Sequence, residues 1–447
     1  MEHHERLAAL GILDSRVPRY TSYPTAPNFS PGVGAREQGD WLAALDPALP
    51  VSVYVHIPFC ERLCWFCACH TQGTRTLAPV EAYVEALEAE LALVAARLPP
   101  GTRMGRLHWG GGTPTILPAA LVHRLATAVR AAIPPAADFD FSVEIDPTLV
   151  DRARIVALAE EGLTRASLGI QDFDPAVQAA IGRLQSFDAT RRAVDDLRAA
   201  GIASLNADLV YGLPHQTSAR LAATVEHVLT LAPERAAIFG YAHVPWASKR
   251  QKLIDEAALP GDAARLDLAS LAAGAFEAAG YRRIGIDHFA RPGDGLDLAA
   301  RTGRLRRNFQ GYTDDVCPTL IGLGASSISR FAGGYVQNAA ATPAWHGRIA
   351  EGELPGARGH ALDADDRSRA RAIEMLLCDF RLDFAALGPD GAALRTEAEA
   401  VAARFGAFVA LDAGGLTIRP EGVPLARIVA SAFDGYLAAG GRFSRAS

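Results

Sequence analysis

The sequence predicts an α/β fold: a partial (β/α)6 TIM-like barrel with an irregular N-terminal segment and a mainly helical C-terminal domain. Three observations predict it. Between residues 51 and 291, six strand-like runs alternate with six helical runs, and such alternation builds a parallel sheet with right-handed crossovers. Polar residues stand where those strands end: His56 and Cys60, the glycine-rich run 110–113, Glu144, Gln171 and Asp208. A barrel of this kind gathers its chemistry at the C-terminal strand ends. After residue 291 the alternation stops. A doubly wound open sheet is the rival arrangement.

Each element follows from its residue pattern. Residues 1–50 are rich in Pro, Ser and Thr and carry no helical period, as in "RVPRYTSYPTAPNF". The barrel spans 51–291. "VSVYVHIPF" is its first strand and places Tyr54 and His56 on one face, turned toward Cys60. "PVEAYVEALEAELALVAARL" aligns Val80, Tyr83, Val84, Leu87, Leu91 and Val94 along one helix face. "MGRLHWGGG" runs from strand into loop, and "PAALVHRLATAVRAAI" is helical. Four more pairs follow: "FDFSVEID" with "DRARIVALAEEG", "TRASLGIQ" with "DATRRAVDDLRAAG", "IASLNADLVYGLP" with "SARLAATVEHVLTLA", and "RAAIFGYAHV" with "DAARLDLASLAAGAFEAAG". Residues 292–340 are expected to be a connecting extension that contributes to the active site. Within it, "GRLRRNFQGYT" reads as a loop and "TLIGLGASSISRF" as a Gly/Ser-rich turn. Residues 341–447 are expected to form a separate, mainly helical domain. Its clearest helix is "RSRARAIEMLLCDFRL", and "GAFVALDAGGLTIRP" suggests a small hairpin.

Composition narrows the classes. A chain of 447 residues buries enough surface to fold without disulfides. The formal net charge of -6 supplies no basic field for phosphates, which argues against a nucleic-acid partner. The start "MEHHERLAALGIL" lacks a basic region followed by an apolar run, and no stretch of about 18 apolar residues occurs. A cytoplasmic monomer with no membrane span is expected. In a reducing compartment, clustered cysteines are more often metal ligands than disulfides.

Four of the six cysteines fall within ten positions, in "HIPFCERLCWFCACH": Cys60, Cys64, Cys67 and Cys69. A structural zinc site usually takes two ligand pairs well separated in sequence, and no second pair exists here. A 4Fe–4S cube is larger, and one loop can reach its corners. Three thiolates at offsets of zero, four and seven wrap three corners and leave the fourth iron open. Cys69, only two residues past Cys67, is expected to stay free near the site. Cys317 and Cys378 lie far off and read as core residues.

The spacing Cys60-x-x-x-Cys64-x-x-Cys67 after a first strand, with Phe66 before the last cysteine, resembles the radical S-adenosylmethionine superfamily. The longer segments are more specific. "PRYTSYPT", "YVHIPFCERLCWFCACH", "WGGGTPT", "EIDP", "LGIQDF", "DLVYGLP", "GIDHFARP", "NFQGYT", "LLCDFRLDF" and "FDGYL", in this order, resemble the oxygen-independent coproporphyrinogen III oxidase family.

The resemblance implies a 4Fe–4S cluster on Cys60, Cys64 and Cys67, with S-adenosylmethionine chelating the open iron. The cofactor then carries the hard chemistry, while the protein orients it and excludes water. Cofactor contacts are expected from Tyr54, Phe66, Gly111, Gly112, Thr113, Glu144, Gln171, Arg183, Asp208, Ala242 and Ile328. A second S-adenosylmethionine can sit beside the first in this family. Cys69, His56, Phe309 and Gln310 are expected at the reacting centre. The implied substrate, coproporphyrinogen III, carries four propionates, and forked arginine contacts suit carboxylates best. Arg19, Arg301, Arg304, Arg306 and Arg307 are candidates.

The implied reaction is oxidative decarboxylation of two propionates to vinyl groups, giving protoporphyrinogen IX in haem biosynthesis. It needs an electron donor for the cluster and an electron acceptor. The alternative is a haem-binding chaperone of the same superfamily. Such relatives usually lack the fourth cysteine and the "PRYTSYPT" leader, and they carry His-Asn-x-x-Tyr-Trp where this chain reads "RNFQGY". A zinc-stabilised scaffold is a third reading.

Overall fold

The structure, a computed structural model, describes residues 7, 9–11, 15–437 and 443. Its centre is a sheet of six successive parallel strands: β1 (Val51–Ile57), β2 (Met104–Gly111), β3 (Pro135–Ile145), β4 (Arg165–Gln171), β5 (Ser204–Tyr211) and β6 (Arg235–Gly240). Helices α1 (Ala78–Ala95), α2 (Ala119–Ala132), α3 (Arg152–Glu160), α4 (Phe187–Ala199), α5 (Ser218–Leu231) and α6 (Asp262–Ala278) follow the strands in turn. The apolar face expected for α1 is the buried one: Val80, Tyr83, Val84, Leu87, Leu91 and Val94 are all inside. Asp151, Ser186 and Thr217 cap α3, α4 and α5 by accepting backbone N–H bonds, each contributing about 1 kcal/mol.

The region after residue 291 departs from the sequence reading. "GRLRRNFQGYT" is a hairpin rather than a loop. It follows β7 (Arg282–Ile284) and β8 (His288–Ala290), and its strands are β9 (Arg306–Asn308) and β10 (Gly311–Thr313). "TLIGLGASSISRF" is not a turn either. It contains β11 (Thr319–Leu323) and β12 (Ile328–Phe331), and β11 pairs in parallel with β1. The sheet therefore holds seven parallel strands. Two antiparallel strands, β13 (Gly334–Asn338) and β14 (Gly356–Ala361), extend it beyond β12. The complete order is β14-β13-β12-β11-β1-β2-β3-β4-β5-β6-β8-β7. A glycine hid β11. At Gly322 a side chain would collide with the Ile328 backbone 2.7 Å away, so the residue that weakens the strand pattern is the one that lets β12 fold onto it.

Two more differences concern the ends. Residues 1–50 contain a helix, Ala35–Ala43. The sheet runs on through β14, so chain past residue 340 still belongs to the barrel body. Beyond it, α8 (Ala364–Cys378), which follows α7 (Thr342–Ala350), packs with a three-stranded sheet that includes the expected hairpin, Val409–Leu411 with Gly415–Ile418. This second core also takes Leu7, Val17, Tyr20 and Tyr23 from the N-terminal segment.

Along the barrel strands, one face feeds the helix layer and the other a polar interior. In β4 the residues alternate strictly between buried and half-buried. Trp109, Phe141, Leu168 and Leu205 face the helices within the main core. The interior floor is ionic. Arg165 pairs with Asp140 at 2.9 Å, and Arg235 pairs with Asp294 at 2.7 Å and Asp314 at 3.2 Å. Asp314 comes from the segment after β10, so the extension closes the barrel floor.

Candidate active site

One cavity of about 190 Å³ opens at the C-terminal ends of the strands. Its wall contains Cys60, Cys64, Cys67, Cys69 and Phe66 from the loop after β1. Gly111, Gly112 and Thr113 come from the turn after β2, and Glu144, Gln171 and Asp208 from β3, β4 and β5. Arg183 follows a short helix after β4 and completes the set. Residues scattered over some 150 positions thus converge because parallel strands all deliver their last residues to one rim.

The glycine turn owes its composition to close packing. It is stitched to the first strand by Gly112 N–H donating to the Ile57 carbonyl (2.9 Å) and Thr113 N–H to the Phe59 carbonyl (2.8 Å). Gly111 has φ +112°, and a methyl group there would lie 2.5 Å from the His56 ring. Only glycine meets both conditions. Gln171 also stands at positive φ, +70°, an uncommon conformation for a residue with a side chain.

Glu144 is an anionic group on the wall. Burial opposes its charge, yet the hydrogen bond and field of His108 hold its carboxyl below the ordinary range, helped by the Gly111 N–H and His56. The contacts are 3.4 Å from His108 Nε2 and 3.1 Å from Gly111 N. Asp208 behaves oppositely. Burial pushes its carboxyl up, although Ser167 and Asn206 donate to it at 2.6 and 2.8 Å.

Among the thiols, Arg183 Nη1 donates to Cys64 Sγ at 3.6 Å, and Thr113 Oγ1 donates to Cys60 Sγ at 3.6 Å. Arg183 is itself anchored by Asp146 at 3.1 Å. The Cys69 thiol donates to Cys67, which draws the Cys67 thiol down and pushes the Cys69 thiol up. All six cysteines are free.

The donor set fits a 4Fe–4S cluster. Among the described residues, no three His, Cys, Asp or Glu side chains converge on a point suited to a single metal ion. A cube instead offers each thiolate its own iron. Thr71 Oγ1 and Arg62 Nε lie in the same wall, buried and without a hydrogen-bond partner, as in a site shaped for a polar ligand.

Tyr54 and His56 stand behind the wall on one face of β1. His56 Nε2 donates to the His70 carbonyl (3.0 Å), so Nδ1 accepts from the Tyr54 hydroxyl (3.0 Å). Burial pushes the His56 imidazole down, keeping it neutral. Ala242 follows β6, and its carbonyl accepts from Gln251 at 3.1 Å. Ile328 opens β12, packed over Gly322, the register partner of Tyr54. These four sit outside the wall of the cysteine cavity.

The hairpin residues divide. Gln310 lines the barrel interior, with Tyr312 and His288. Phe309 lines a groove on the other side and meets the Tyr335 ring edge-on at 6.3 Å.

The arginine candidates divide too. Arg301 and Arg304 are exposed, and Arg306 bonds the Leu305 carbonyl. Arg19 and Arg307 come together. Arg19 Nη2 donates to the Gly240 carbonyl at 2.7 Å, and Arg307 Nη2 to the Arg19 carbonyl at 3.1 Å. They line a pocket with Arg283, Arg427 and a single acid, Asp287. Burial, with Arg19 nearby, lowers Arg427 to about 10. Arg307 Nη1 is buried without a hydrogen-bond partner.

Sequence reasoning missed His108, Asp146 and Arg250. His108 was detectable by alternation, two residues before the glycine run. Arg250 had no signal, because the segment after β6 has no period or motif.

Comparison with known proteins follows this geometry. Residues 54–228 match the radical SAM superfamily model. The chain is 59% identical over 446 residues to an oxygen-independent coproporphyrinogen III oxidase of Cereibacter sphaeroides, covering 99% of each chain. It is 56% identical over 440 residues to the enzyme of that name from Paracoccus denitrificans, covering 98% of each. The solved structure of coproporphyrinogen III oxidase from Escherichia coli, described as a radical SAM enzyme, superposes with a TM-score of 0.89 at 36% identity, over 95% of this chain and 100% of that one.

Proposed function

The chain belongs to the oxygen-independent coproporphyrinogen III oxidase family of the radical SAM superfamily, and we infer that it decarboxylates two propionates of coproporphyrinogen III to vinyl groups. The product is protoporphyrinogen IX. Each round removes a hydrogen atom from a propionate β-carbon, then carbon dioxide and one electron. The relatives favour this reading over a haem chaperone.

When bound, the 4Fe–4S cluster and S-adenosylmethionine supply the 5′-deoxyadenosyl radical that takes that hydrogen atom. Cys60, Cys64 and Cys67 hold the cluster, and Arg183 and Thr113 polarise two of the sulfurs. The glycine turn would let the backbone approach S-adenosylmethionine, and Glu144, kept ionised by His108, would offer it an anionic contact. Phe66, Thr113, Gln171, Arg183 and Asp208 would complete the contacts on the cavity wall for one or two molecules, with Tyr54, Ala242 and Ile328 behind it. Cys69 and Gln310 face the space left for the reacting propionate, His56 positions Tyr54, and Phe309 braces the hairpin. Arg19, Arg307 and Arg427 hold a spectator carboxylate. Arg19, Arg307 and Arg427 line the same pocket, and the buried Arg307 Nη1 has no hydrogen-bond partner there, as in a site shaped for an anion. We place the protein in the cytoplasm as a monomer, fed by an electron donor and drained by an acceptor. No helix among the described residues is long and apolar enough to cross a membrane.

The observation that carries this reading is the convergence of three cysteines, the glycine turn, Glu144 and Asp208 on one cavity at the strand ends. An anaerobic assay with reconstituted protein, reductant, S-adenosylmethionine and coproporphyrinogen III tests it. Vinyl product and 5′-deoxyadenosine should appear together. Stoichiometric haem binding without decarboxylation would instead indicate a chaperone.

A further inference from the structure

Of the 44 basic residues in this chain, only two are lysines, Lys249 and Lys252. Both are exposed, in the short 3-10 helix Lys249–Leu253 after β6. That segment is fastened to the cysteine loop. Ser248 Oγ donates to the Cys67 carbonyl at 2.9 Å, Arg250 Nη2 to the Cys69 carbonyl at 3.0 Å, and Gln251 Nε2 to the Phe66 carbonyl at 2.7 Å. The two lysine ammonium groups therefore stand on the segment that clamps the cysteine loop. Among the described residues neither has an ion pair or a hydrogen bond.

Apolar exposure gathers there too. Trp246 is 44% exposed and Leu253 60% exposed, and both lie on the same segment. Leu184, 63% exposed, sits on the adjoining loop, where the Ile181 carbonyl accepts from Trp65 N–H at 2.9 Å and Arg183 touches Cys64. Carboxylates also lie nearby. Asp255 caps the Ala257 N–H, Glu256 pairs with His243 at 2.9 Å, and Glu61 is exposed.

We propose that the surface bearing Lys249, Lys252, Trp246, Leu253 and Leu184 docks an acidic one-electron carrier protein, which reduces the cluster. This rests on the reading that Cys60, Cys64 and Cys67 hold that cluster. One electron passes from the reduced carrier to the cluster. The carrier is oxidised by one electron, the cluster is reduced by one, and no bond forms or breaks. The net charge of -6 disfavours an acidic partner overall, and the exposed Lys249 and Lys252 offset it at this patch. Arginine serves where forked, buried contacts are needed. Lysine's hydrated ammonium on a flexible stem suits steering and rapid release. Electron-transfer encounters bury less than about 1,200 Å², so a few side chains around an apolar centre suffice.

The test uses reconstituted holoenzyme and, as probe, an acidic flavodoxin. Lys249→Glu/Lys252→Glu is compared with wild type and with Lys249→Arg/Lys252→Arg. Binding of the oxidised probe should weaken about tenfold or more in the Glu variant. It should survive in the Arg variant, and in wild type it should weaken as salt rises from about 50 to about 300 mM. Cluster reduction by the reduced probe should fall in parallel, while 5′-deoxyadenosine formation driven by dithionite stays at the wild-type rate. Equal probe binding and equal probe-driven reduction in wild type and the Glu variant would overturn the docking surface. Wild-type protein that assembles no cluster, or forms no 5′-deoxyadenosine with dithionite, would overturn the functional reading instead. The binding comparison decides the surface separately.

Discussion

At the scale of single residues, charge placement decides what the cavity accepts. Glu144 is an acid held ionised on its wall, while Asp208 is pushed toward its neutral form. Glu144→Gln should weaken S-adenosylmethionine binding about 10- to 100-fold, the loss of one charge-assisted contact. Equilibrium binding to reconstituted protein measures it. Arg307 is enclosed, with Nη1 buried, so a neutral replacement tests it. Arg307→Gln should keep the fold, raise the coproporphyrinogen III KM about 10- to 100-fold and leave kcat nearly unchanged. Steady-state kinetics separates the two constants, and an unchanged KM would remove Arg307 from the substrate pocket. The cysteines, the glycine run and Glu144 were legible because their spacing or their place at a strand end carries chemistry. His108 and Arg250 were not. One is an ordinary alternating strand residue, and the other acts through a carbonyl that only folding brings near.

At the scale of elements, the alternation that built six strand–helix units was plain because each helix has its own apolar stripe and three of them carry a side-chain cap. β11 was hidden because its glycine, Gly322, serves packing rather than strand propensity, and because no single helix leads into it. What holds β11 beside α1 is a buried acid. Glu90 of α1 accepts from the Gly324 N–H (2.7 Å), Asn338 Nδ2 (2.7 Å) and Trp345 Nε1 (3.1 Å). It thereby ties together α1, the turn after β11, the end of β13 and α7. Burial raises its carboxyl to about 7. The folded state therefore binds this proton more tightly than the unfolded chain does. The contribution is full below the unfolded value near 4.5 and is lost as pH rises toward about 7. Glu90→Gln should flatten that part of the stability profile. Urea unfolding of wild type between pH 5 and 8 should show a decline of up to about 3 kcal/mol that the variant lacks. Parallel profiles for the two proteins would contradict this.

At the scale of the whole molecule, the barrel is sealed at one end by ions and open at the other to cofactors. Arg235, whose side chain is 6% exposed, bridges Asp294 and Asp314 and so joins the sheet to the extension that closes the floor. Arg235→Met should destabilise by about 3–5 kcal/mol, because it takes the buried ion-pair partner from Asp294 and leaves Asp314 with the longer contact to Arg165 at 3.7 Å. The urea midpoint reports it, and a loss under about 1 kcal/mol would mean that the floor is wet. The central claim is that three thiolates hold a cube whose fourth iron is open to S-adenosylmethionine. Electron paramagnetic resonance of the reduced, anaerobically reconstituted protein tests it most directly. Adding S-adenosylmethionine should shift the cluster signal, in wild type and in Cys69→Ala alike. An unshifted signal, or a Cys69→Ala protein that assembles no cluster, would contradict it.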